Sequence, residues 1–217
     1  MTLAARPLWP SILLVGPTGS GKTPLGEEME RRGFMGRRCV HFDFGRNLRA
    51  ASEGGGEYGL TGPELERVRA SLRSGALFED RDLPMIIKVL RTFVESRGLA
   101  PDALLVLNGL PRHRSQAEAL SSVLAVERVV ALVADADVIR ERIRLDTGKD
   151  RAGRADDDLR AIAGRLEIFR ERTEPLIGLY RGRGVPVTAL RVSATMTAAE
   201  ALDGIERAIA AEKSQGV

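Results

Sequence analysis

Aromatic residues, cysteines and long apolar runs are all scarce in this chain of 217 residues. Phe, Trp and Tyr make up 4% of the sequence, which argues against base stacking as its main binding mode. Cys39 is the only cysteine, so no disulfide can form within the chain, as is usual in a reducing compartment. No apolar run has the length of a transmembrane helix, and the first residues lack the charged region and cleavage site of a signal peptide. We therefore expect a cytoplasmic protein with no membrane partner.

A strong charge of either sign is also missing. The 33 Lys and Arg residues nearly balance the 30 Asp and Glu residues, which leaves a net charge of +3 at pH 7. The arginines are spread along the sequence rather than gathered in a basic run, so we expect no nucleic-acid partner. Arginine nevertheless suits bidentate binding of phosphate oxygens. Hydrophobic residues make up 43% of the chain, enough for one packed domain with an inserted subdomain.

The most informative segment fits the P-loop pattern G-x-x-x-x-G-K-[ST]. It consists of Gly16, Pro17, Thr18, Gly19, Ser20, Gly21, Lys22 and Thr23. Ser11–Val15 before it is typical of a buried strand and Leu25–Arg32 after it of a helix, a context that an ordinary glycine-rich turn does not require. The glycines let successive N–H groups point at one phosphate, where the helix N-terminus adds positive potential. Lys22 can reach the outer phosphates and Thr23 can ligate Mg²⁺, so the motif predicts binding of ATP with Mg²⁺.

Strand and helix patterns alternate along the chain, which predicts an α/β fold: a five-stranded parallel sheet with helices on both faces. The predicted strands are Ser11–Val15, Cys39–Phe42, Ala103–Leu107, Val129–Val133 and Val187–Val192. Asp135 is a candidate N-cap, and Thr197–Glu200 has the pattern of a capping box. Ligands of such sheets bind at the carboxyl ends of the strands.

Two insertions interrupt the alternation. Residues 46–102 are helical in pattern, with Thr61–Leu72 and Leu83–Arg97 the clearest helices and Gly54–Gly56 a flexible start. Residues 144–157 are short and rich in charge. The core is then predicted to comprise 1–45, 103–143 and 158–217.

Further motifs follow the P-loop in a fixed order. They are His41–Ala50, Gly75–Phe78, Leu104–Arg112 with Gln116 after it, Gly153–Asp157, Arg165–Leu166 and Thr173–Ile177. Together they resemble the adenylate kinase family of nucleoside monophosphate kinases, from about Ile12 to Ile209. The resemblance implies a P-loop core, a nucleoside monophosphate (NMP) binding insertion at 46–102, a short lid at 144–157 and an ATP-dependent phosphotransferase activity.

The resemblance also implies roles for single residues. The implied catalytic residues are Lys22, Arg112, Arg154 and Arg165. The implied ATP contacts are the eight P-loop residues together with Arg140 and Arg144, which look similar to a pair at the start of the lid. The implied NMP contacts are Phe44, Gly45, Arg49, Leu77, Gly109, Arg112 and Gln116. Among these, Arg49 and Arg112 match arginines that hold the acceptor phosphate, and Gln116 matches a glutamine that contacts adenine. From the residues alone, Arg154 and Arg165 could instead form surface ion pairs, and Gln116 could cap a helix.

The sequence departs from the family near the expected metal. Thr23 stands where the family usually has Gly, a bulky Phe44 replaces a small hydroxyl residue, and Arg46 and Asn108 replace two acids. Asp43 ends the second predicted strand, and some small-molecule P-loop kinases place a metal-orienting acid there. We assign Thr23 and Asp43 as candidate metal residues, with a turn-forming role as the alternative for Asp43.

Three functions remain open at this point. The first is an NMP kinase, with AMP the leading acceptor because of Gln116. The second is a P-loop kinase for another small acceptor, and the third is a nucleotide-binding regulatory protein with weak or no transfer activity. Loss of the two acids favours the third, whereas the retained arginines favour the first two. We expect ATP and an NMP as the partners of a monomer.

Overall fold

The computed structural model of the chain describes residues 8–54, 56–148 and 159–215. The first half contains β1 (Trp9–Val15), α1 (Lys22–Arg32), β2 (Cys39–Asp43), α2 (Phe44–Glu53), α3 (Gly62–Ser74), a 3₁₀ turn (Asp80–Asp82) and α4 (Leu83–Arg97). The second half contains β3 (Leu104–Asn108), α5 (Arg114–Leu120), β4 (Leu124–Val133), α6 (Ala136–Leu145), α7 (Leu159–Ile168), a π-helical turn (Phe169–Thr173), α8 (Pro175–Gly182), β5 (Val187–Arg191) and α9 (Ala198–Gln215).

The strands form one five-stranded sheet in the order β2-β3-β1-β4-β5. Every neighbouring pair is parallel, which confirms the predicted fold class. All carboxyl ends of the strands therefore lie along one edge, and the P-loop follows directly from the central strand β1. The sheet thus carries the loop, Asp43 and Asn108 to the same edge.

The strand that differs most from its prediction is β4, which begins at Leu124 rather than Val129. Glu127 and Arg128 break the apolar run. Arg128 is nevertheless buried, because its guanidinium donates to the Thr188 hydroxyl at 2.5 Å and to Glu212 at 2.8 Å. Partners on β5 and α9 make this charge compatible with a strand interior.

Apolar side chains on the two faces of the sheet form two cores. Alternate residues of β1 contribute to each, with Leu13 in one and Ile12 in the other, as the two-residue period of a strand requires. The first core also includes Leu48 of α2, Val68 of α3 and Ile86 of α4. The helical insertion therefore packs on the same core as the sheet, while the division of the chain into domains stays a prediction.

Helix ends mostly follow the sequence signals. Thr61 and Glu64 form a full capping box at α3, and Thr197 and Glu200 form the one predicted at α9. Asp135 does occupy the N-cap position of α6, but its side chain makes no cap hydrogen bond and accepts instead from Arg191 at 2.9 Å. The predicted cap at Asp135 is therefore replaced by an exposed ion pair.

Gly26 of α1 lies against the ring of His41 on β2. A Cβ at Gly26 would lie 2.3 Å from Cδ2 of His41, so any larger residue would have to displace that ring. Because α1 begins in the P-loop, this contact fixes the loop against the end of β2. None of the described helices has the length and apolar character needed to cross a membrane.

Candidate functional site

The P-loop curves around the N-terminus of α1. Gly19 and Gly21 adopt φ angles of +77° and +96°, which side chains with a Cβ rarely tolerate. The positive end of the α1 dipole faces the loop, and no acidic residue in the first turn of α1 offsets it. The Lys22 ammonium donates to the carbonyls of Gly16 at 2.7 Å and Pro17 at 2.8 Å, which holds it over the same loop.

Arg142, a residue that the sequence analysis missed, supports this loop from α6. Its Nε donates to Gly19 O at 3.2 Å, and its Nη1 donates to Ser193 O at 2.5 Å and Met196 O at 3.0 Å. The side chain is buried and joins the P-loop to the segment between β5 and α9. Its spacing of three residues from buried Ile139 was the available signal, because that spacing places both on one helix face.

Thr23, Asp43 and Asn108 form a buried polar cluster next to Lys22. The Thr23 hydroxyl donates to Asp43 Oδ2 at 2.8 Å. The Asn108 amide donates to Thr23 Oγ1 at 3.0 Å and to Asp43 Oδ2 at 3.1 Å. Asp43 and Asn108 are register partners on β2 and β3. The carboxylate and the hydroxyl that were assigned to the metal are thus in direct contact.

The other carboxylate oxygen of Asp43 has a structural task. Asp43 is the N-cap of α2, where Oδ1 accepts from the N–H of Arg46 at 2.9 Å. Burial opposes ionisation of Asp43, but the hydrogen bonds from Arg46 N–H and Thr23 outweigh it and hold the pKa of Asp43 below its ordinary value. Asp43 is therefore ionised at neutral pH. The turn-forming role and the metal role are compatible, since each uses a different oxygen.

This cluster suits a magnesium ion that arrives with a nucleotide. Within residues 8–54, 56–148 and 159–215, no group of three or more His, Cys, Asp or Glu could hold a metal alone. Mg²⁺ keeps several waters and commonly binds through one or two carboxylates plus substrate phosphates. One carboxylate and one hydroxyl beside a P-loop match that requirement. The Arg46 side chain does not occupy the cluster, because it forms an exposed ion pair with Glu27 at 2.5 Å.

A cavity of about 260 Å³ extends from the P-loop across the strand ends to α2 and α3. Most of the predicted site residues line it together. They are Gly16, Thr18, Gly19, Gly21, Lys22, Thr23, Asp43, Phe44, Gly45, Arg49, Leu77, Gly109, Arg112, Gln116 and Arg165. The structure also adds lining residues that were not predicted, among them Leu48, Leu72, Phe78, Phe169 and Thr173.

Other predicted residues lie elsewhere. Pro17 lines a separate cavity of about 100 Å³, and Ser20 is buried. Arg140 and Arg144 do not line the main cavity, and they form exposed ion pairs with Asp137 and Glu141 on their own helix. Arg154, Asp156 and Asp157 fall outside the described residues, as does most of the predicted lid. The roles of these residues stay predictions.

One part of the cavity gathers positive charge. Arg49, Arg112 and Arg165 all line it, and Asp43 is the only carboxylate among its lining residues in the described ranges. Burial and the nearby charge of Arg165 lower the pKa of Arg112. A region of this kind favours a dianionic ligand, because phosphate oxygens accept strong, charge-assisted hydrogen bonds from guanidinium groups.

The backbone of Arg112 is held from two sides. Its N–H donates to Oε1 of Gln116 at 2.8 Å, and its carbonyl accepts from the hydroxyl of Thr173 at 2.8 Å. Gln116 is buried and its Nε2 donates to Phe78 O at 2.8 Å. Gln116 therefore has two backbone partners in addition to its place on the cavity wall.

The far end of the cavity is an apolar recess, defined here by Phe44, Leu48, Leu72, Leu77 and Phe78. The Phe44 and Phe78 rings meet edge to face with centroids 5.9 Å apart. Phe44 also lies 6.0 Å from Phe42 and is only 4% exposed. The bulky ring that replaces a small hydroxyl residue is thus largely packed into the core, where it forms part of the recess wall.

Comparison with known proteins places the chain among kinases. The adenylate kinase of Parvibaculum lavamentivorans (strain DS-1) is 31% identical over 181 residues, which cover 80% of each chain. That of Stenotrophomonas maltophilia (strain K279a) is 32% identical over 184 residues, covering 80% of this chain and 86% of the other. No protein-family model matches the chain.

A solved structure supports the fold. The gluconokinase of Sinorhizobium meliloti 1021 superposes with a TM-score of 0.51 over 98% of this chain and 100% of its own, at 20% identity. A sequence identity of 20% supports a shared fold and nothing beyond the fold. The identity to adenylate kinases over four fifths of the sequence bears on the family, and the chain belongs to the adenylate kinase family of ATP-dependent phosphotransferases.

Proposed function

We propose that this protein is a nucleoside monophosphate kinase that transfers the γ-phosphoryl group of ATP to a nucleoside monophosphate, with AMP the leading acceptor. In this reaction an acceptor phosphate oxygen attacks the γ-phosphorus, the bond from that phosphorus to the β–γ bridging oxygen breaks, and two diphosphates leave. The observation that carries the proposal is one cavity that joins a P-loop, a set of arginines and an apolar recess.

The donor end supports ATP. The P-loop N–H groups and the α1 N-terminus would hold the β-phosphate, and Lys22 would leave its two loop carbonyls to reach the outer phosphates. When bound with ATP, Mg²⁺ neutralises developing charge on the phosphates. Thr23 would supply a ligand, and Asp43 would orient water on the ion from its 2.8 Å contact with Thr23.

The middle of the cavity supports phosphoryl transfer. Phosphoryl transfer needs little covalent catalysis by the protein. It depends on positioning of the reactants and on positive charge around the transferred group. Arg49 and Arg112 would hold the acceptor phosphate, and Arg165 would contact the moving group from α7. A phosphate nucleophile needs no general base, which agrees with the position of buried His41 outside the cavity.

The apolar recess separates the first two hypotheses. A polyhydroxylated acid such as gluconate needs several hydrogen-bonding side chains, since buried hydroxyls without partners are costly. The recess instead offers mainly Leu and Phe side chains, which suit the flat face of a nucleobase. Gln116 adjoins it. Each end of its amide has one backbone partner, so one acceptor and one donor position are left for a base edge.

The third hypothesis, a regulatory protein without transfer, rested on the loss of two acids. Asp43 weakens that argument, because it returns an ionised carboxylate to the Thr23 hydroxyl. Although position 108 has no acid, Asp43 would therefore still supply a negative charge near the metal.

A coupled turnover assay tests the proposal. ATP with Mg²⁺ is supplied with a panel of purine and pyrimidine monophosphates, ribo and deoxy, and with gluconate. We expect turnover with at least one monophosphate, best with AMP, and none with gluconate. Lys22→Ala should abolish both turnover and calorimetric ATP binding. Turnover of every acceptor at the background rate of ATP hydrolysis, with ATP binding intact, would move the regulatory hypothesis to first place.

A further inference from the structure

We infer that Thr173 is a positioning residue for Arg112, and that the π-helical turn exists at this point to bring it there. The inference rests on the proposed function, because it assumes that Arg112 holds the acceptor phosphate. Its starting point is the 2.8 Å hydrogen bond from the Thr173 hydroxyl to the carbonyl of Arg112. Thr173 also lines the main cavity.

The π-helical turn decides which way Thr173 faces. Arg165, Phe169 and Thr173 are spaced by four residues each, and all three line the cavity. In an α-helix with about 3.6 residues per turn, a residue eight positions along is rotated by about 80°. Across Phe169–Thr173 the helix widens, and Glu174 N donates to Phe169 O, five residues back, at 2.8 Å. The wider turn removes most of that rotation and keeps Thr173 on the face that carries Arg165.

The second support for the inference is that the backbone of Arg112 is held at both of its polar groups. With Gln116 on its N–H and Thr173 on its carbonyl, both polar groups of the Arg112 backbone have a side-chain partner. Both bonds are to the backbone, so they fix the base of the side chain and leave the guanidinium group for a ligand. Arginine loses less entropy on binding a phosphate when its backbone is already placed.

A neighbouring ion pair strengthens the same connection. Arg172 contacts Glu79 at 3.2 Å, and Glu79 directly follows Phe78, whose carbonyl accepts from Gln116. The π-helical turn therefore contacts the acceptor side of the cavity twice, through Thr173 and through Arg172. One continuous helical segment carries Arg165 and positions Arg112.

Thr173→Val tests the inference, because it keeps the shape of the side chain and removes the hydroxyl. We expect the Kd and KM for the best monophosphate to rise about three- to tenfold, as for loss of one hydrogen bond, with the Kd for ATP unchanged. Thr173→Ser should restore wild-type values. In an Arg112→Ala background, Thr173→Val should add nothing, since the residue it positions is gone.

Ser96→Ala is the control. Its hydroxyl donates to Phe93 O at 2.8 Å, a side-chain to backbone bond outside the main cavity that does not contact Arg112, so the acceptor Kd should not change. An unchanged acceptor Kd in Thr173→Val, or an equal weakening in the Arg112→Ala background, overturns the inference and leaves the proposed function standing. If wild-type protein binds no monophosphate by calorimetry, the proposed function fails, and the inference fails with it.

Discussion

The hydroxyl of Thr23 donates to Asp43 Oδ2 at 2.8 Å, which connects the last residue of the P-loop to the end of β2, a strand at one edge of the sheet. Two elements that approach the site from different directions are joined at the position expected of a magnesium ion. The contact also explains how Asp43 can serve a metal and cap a helix together, since Oδ1 is committed to Arg46 N–H.

Asp43→Asn should separate the metal from the acceptor. The amide keeps an oxygen for the helix cap but removes the negative charge, so we expect kcat to fall about 10- to 100-fold and the Mg²⁺ requirement to rise. The acceptor KM should stay near the wild-type value. Steady-state rates over a Mg²⁺ titration provide the measurement. Arg46→Gln, which breaks the exposed ion pair with Glu27, is the control and should leave the Mg²⁺ dependence intact.

Arg49→Ala and Arg112→Ala should each raise the acceptor KM far more than the ATP KM. Removing a charge-assisted, bidentate contact costs about 1.5–3 kcal/mol, or roughly one to two orders of magnitude in affinity. Arg31→Ala is a matched control, because Arg31 pairs with Glu28 on the surface of α1 and does not line the main cavity. An ATP KM that rises as much as the acceptor KM in Arg49→Ala would assign this arginine to the donor instead.

Arg142→Met should destabilise the protein and weaken ATP binding together. The substitution leaves the carbonyls of Gly19, Ser193 and Met196 without their donor, and lost hydrogen bonds to a charged group cost about 1.5–3 kcal/mol. Arg31→Met, on the surface of α1, loses only an exposed pair with Glu28, so its free energy of unfolding should change by about 0.5 kcal/mol or less. Thermal melting and calorimetry measure both effects, and equal melting temperatures in the two variants would contradict the prediction.

Stability should fall as the pH drops below about 6.5, because of His41. Burial lowers the pKa of His41 from its model-peptide value of 6.5, so the folded protein resists a proton that the unfolded chain accepts. Its contribution is present above 6.5 and is lost as the pH falls toward the lower folded value, with a slope of at most about 1.4 kcal/mol per pH unit. Asp43, whose pKa is also lowered, affects the free energy of unfolding only at more acidic pH. Denaturant unfolding between pH 7 and 5 should give a flatter profile for His41→Asn than for wild type.

Local patterns predicted most of the fold, and tertiary contacts account for the rest. Helix α4 spans Leu83–Arg97 as predicted, since its apolar period and its capping glycine are local signals. The start of β4 was missed because Arg128 is buried only through partners on β5 and α9, which no window of sequence contains.

The residues of the candidate site divide in the same way, into those that local sequence predicts and those that depend on tertiary contacts. The P-loop was visible because its chemistry lies within eight consecutive residues. Thr173 was part of a recognised motif, but its contact with Arg112 depends on a π-helical turn that has no sequence period of its own. Arg142 was missed beside Arg140 and Arg144, although its spacing of three residues from the apolar Ile139 places both on one face of α6.

The pairing of Asp43 with Asn108 across β2 and β3 has a consequence for how substitutions here can be tolerated. Their side chains approach to 3.1 Å, and two carboxylates at about 4 Å would repel by about 4 kcal/mol at an effective dielectric constant of 20. A single negative charge across the pair avoids this repulsion. Asn108→Asp alone would double that charge, and Asp43→Asn alone would remove it.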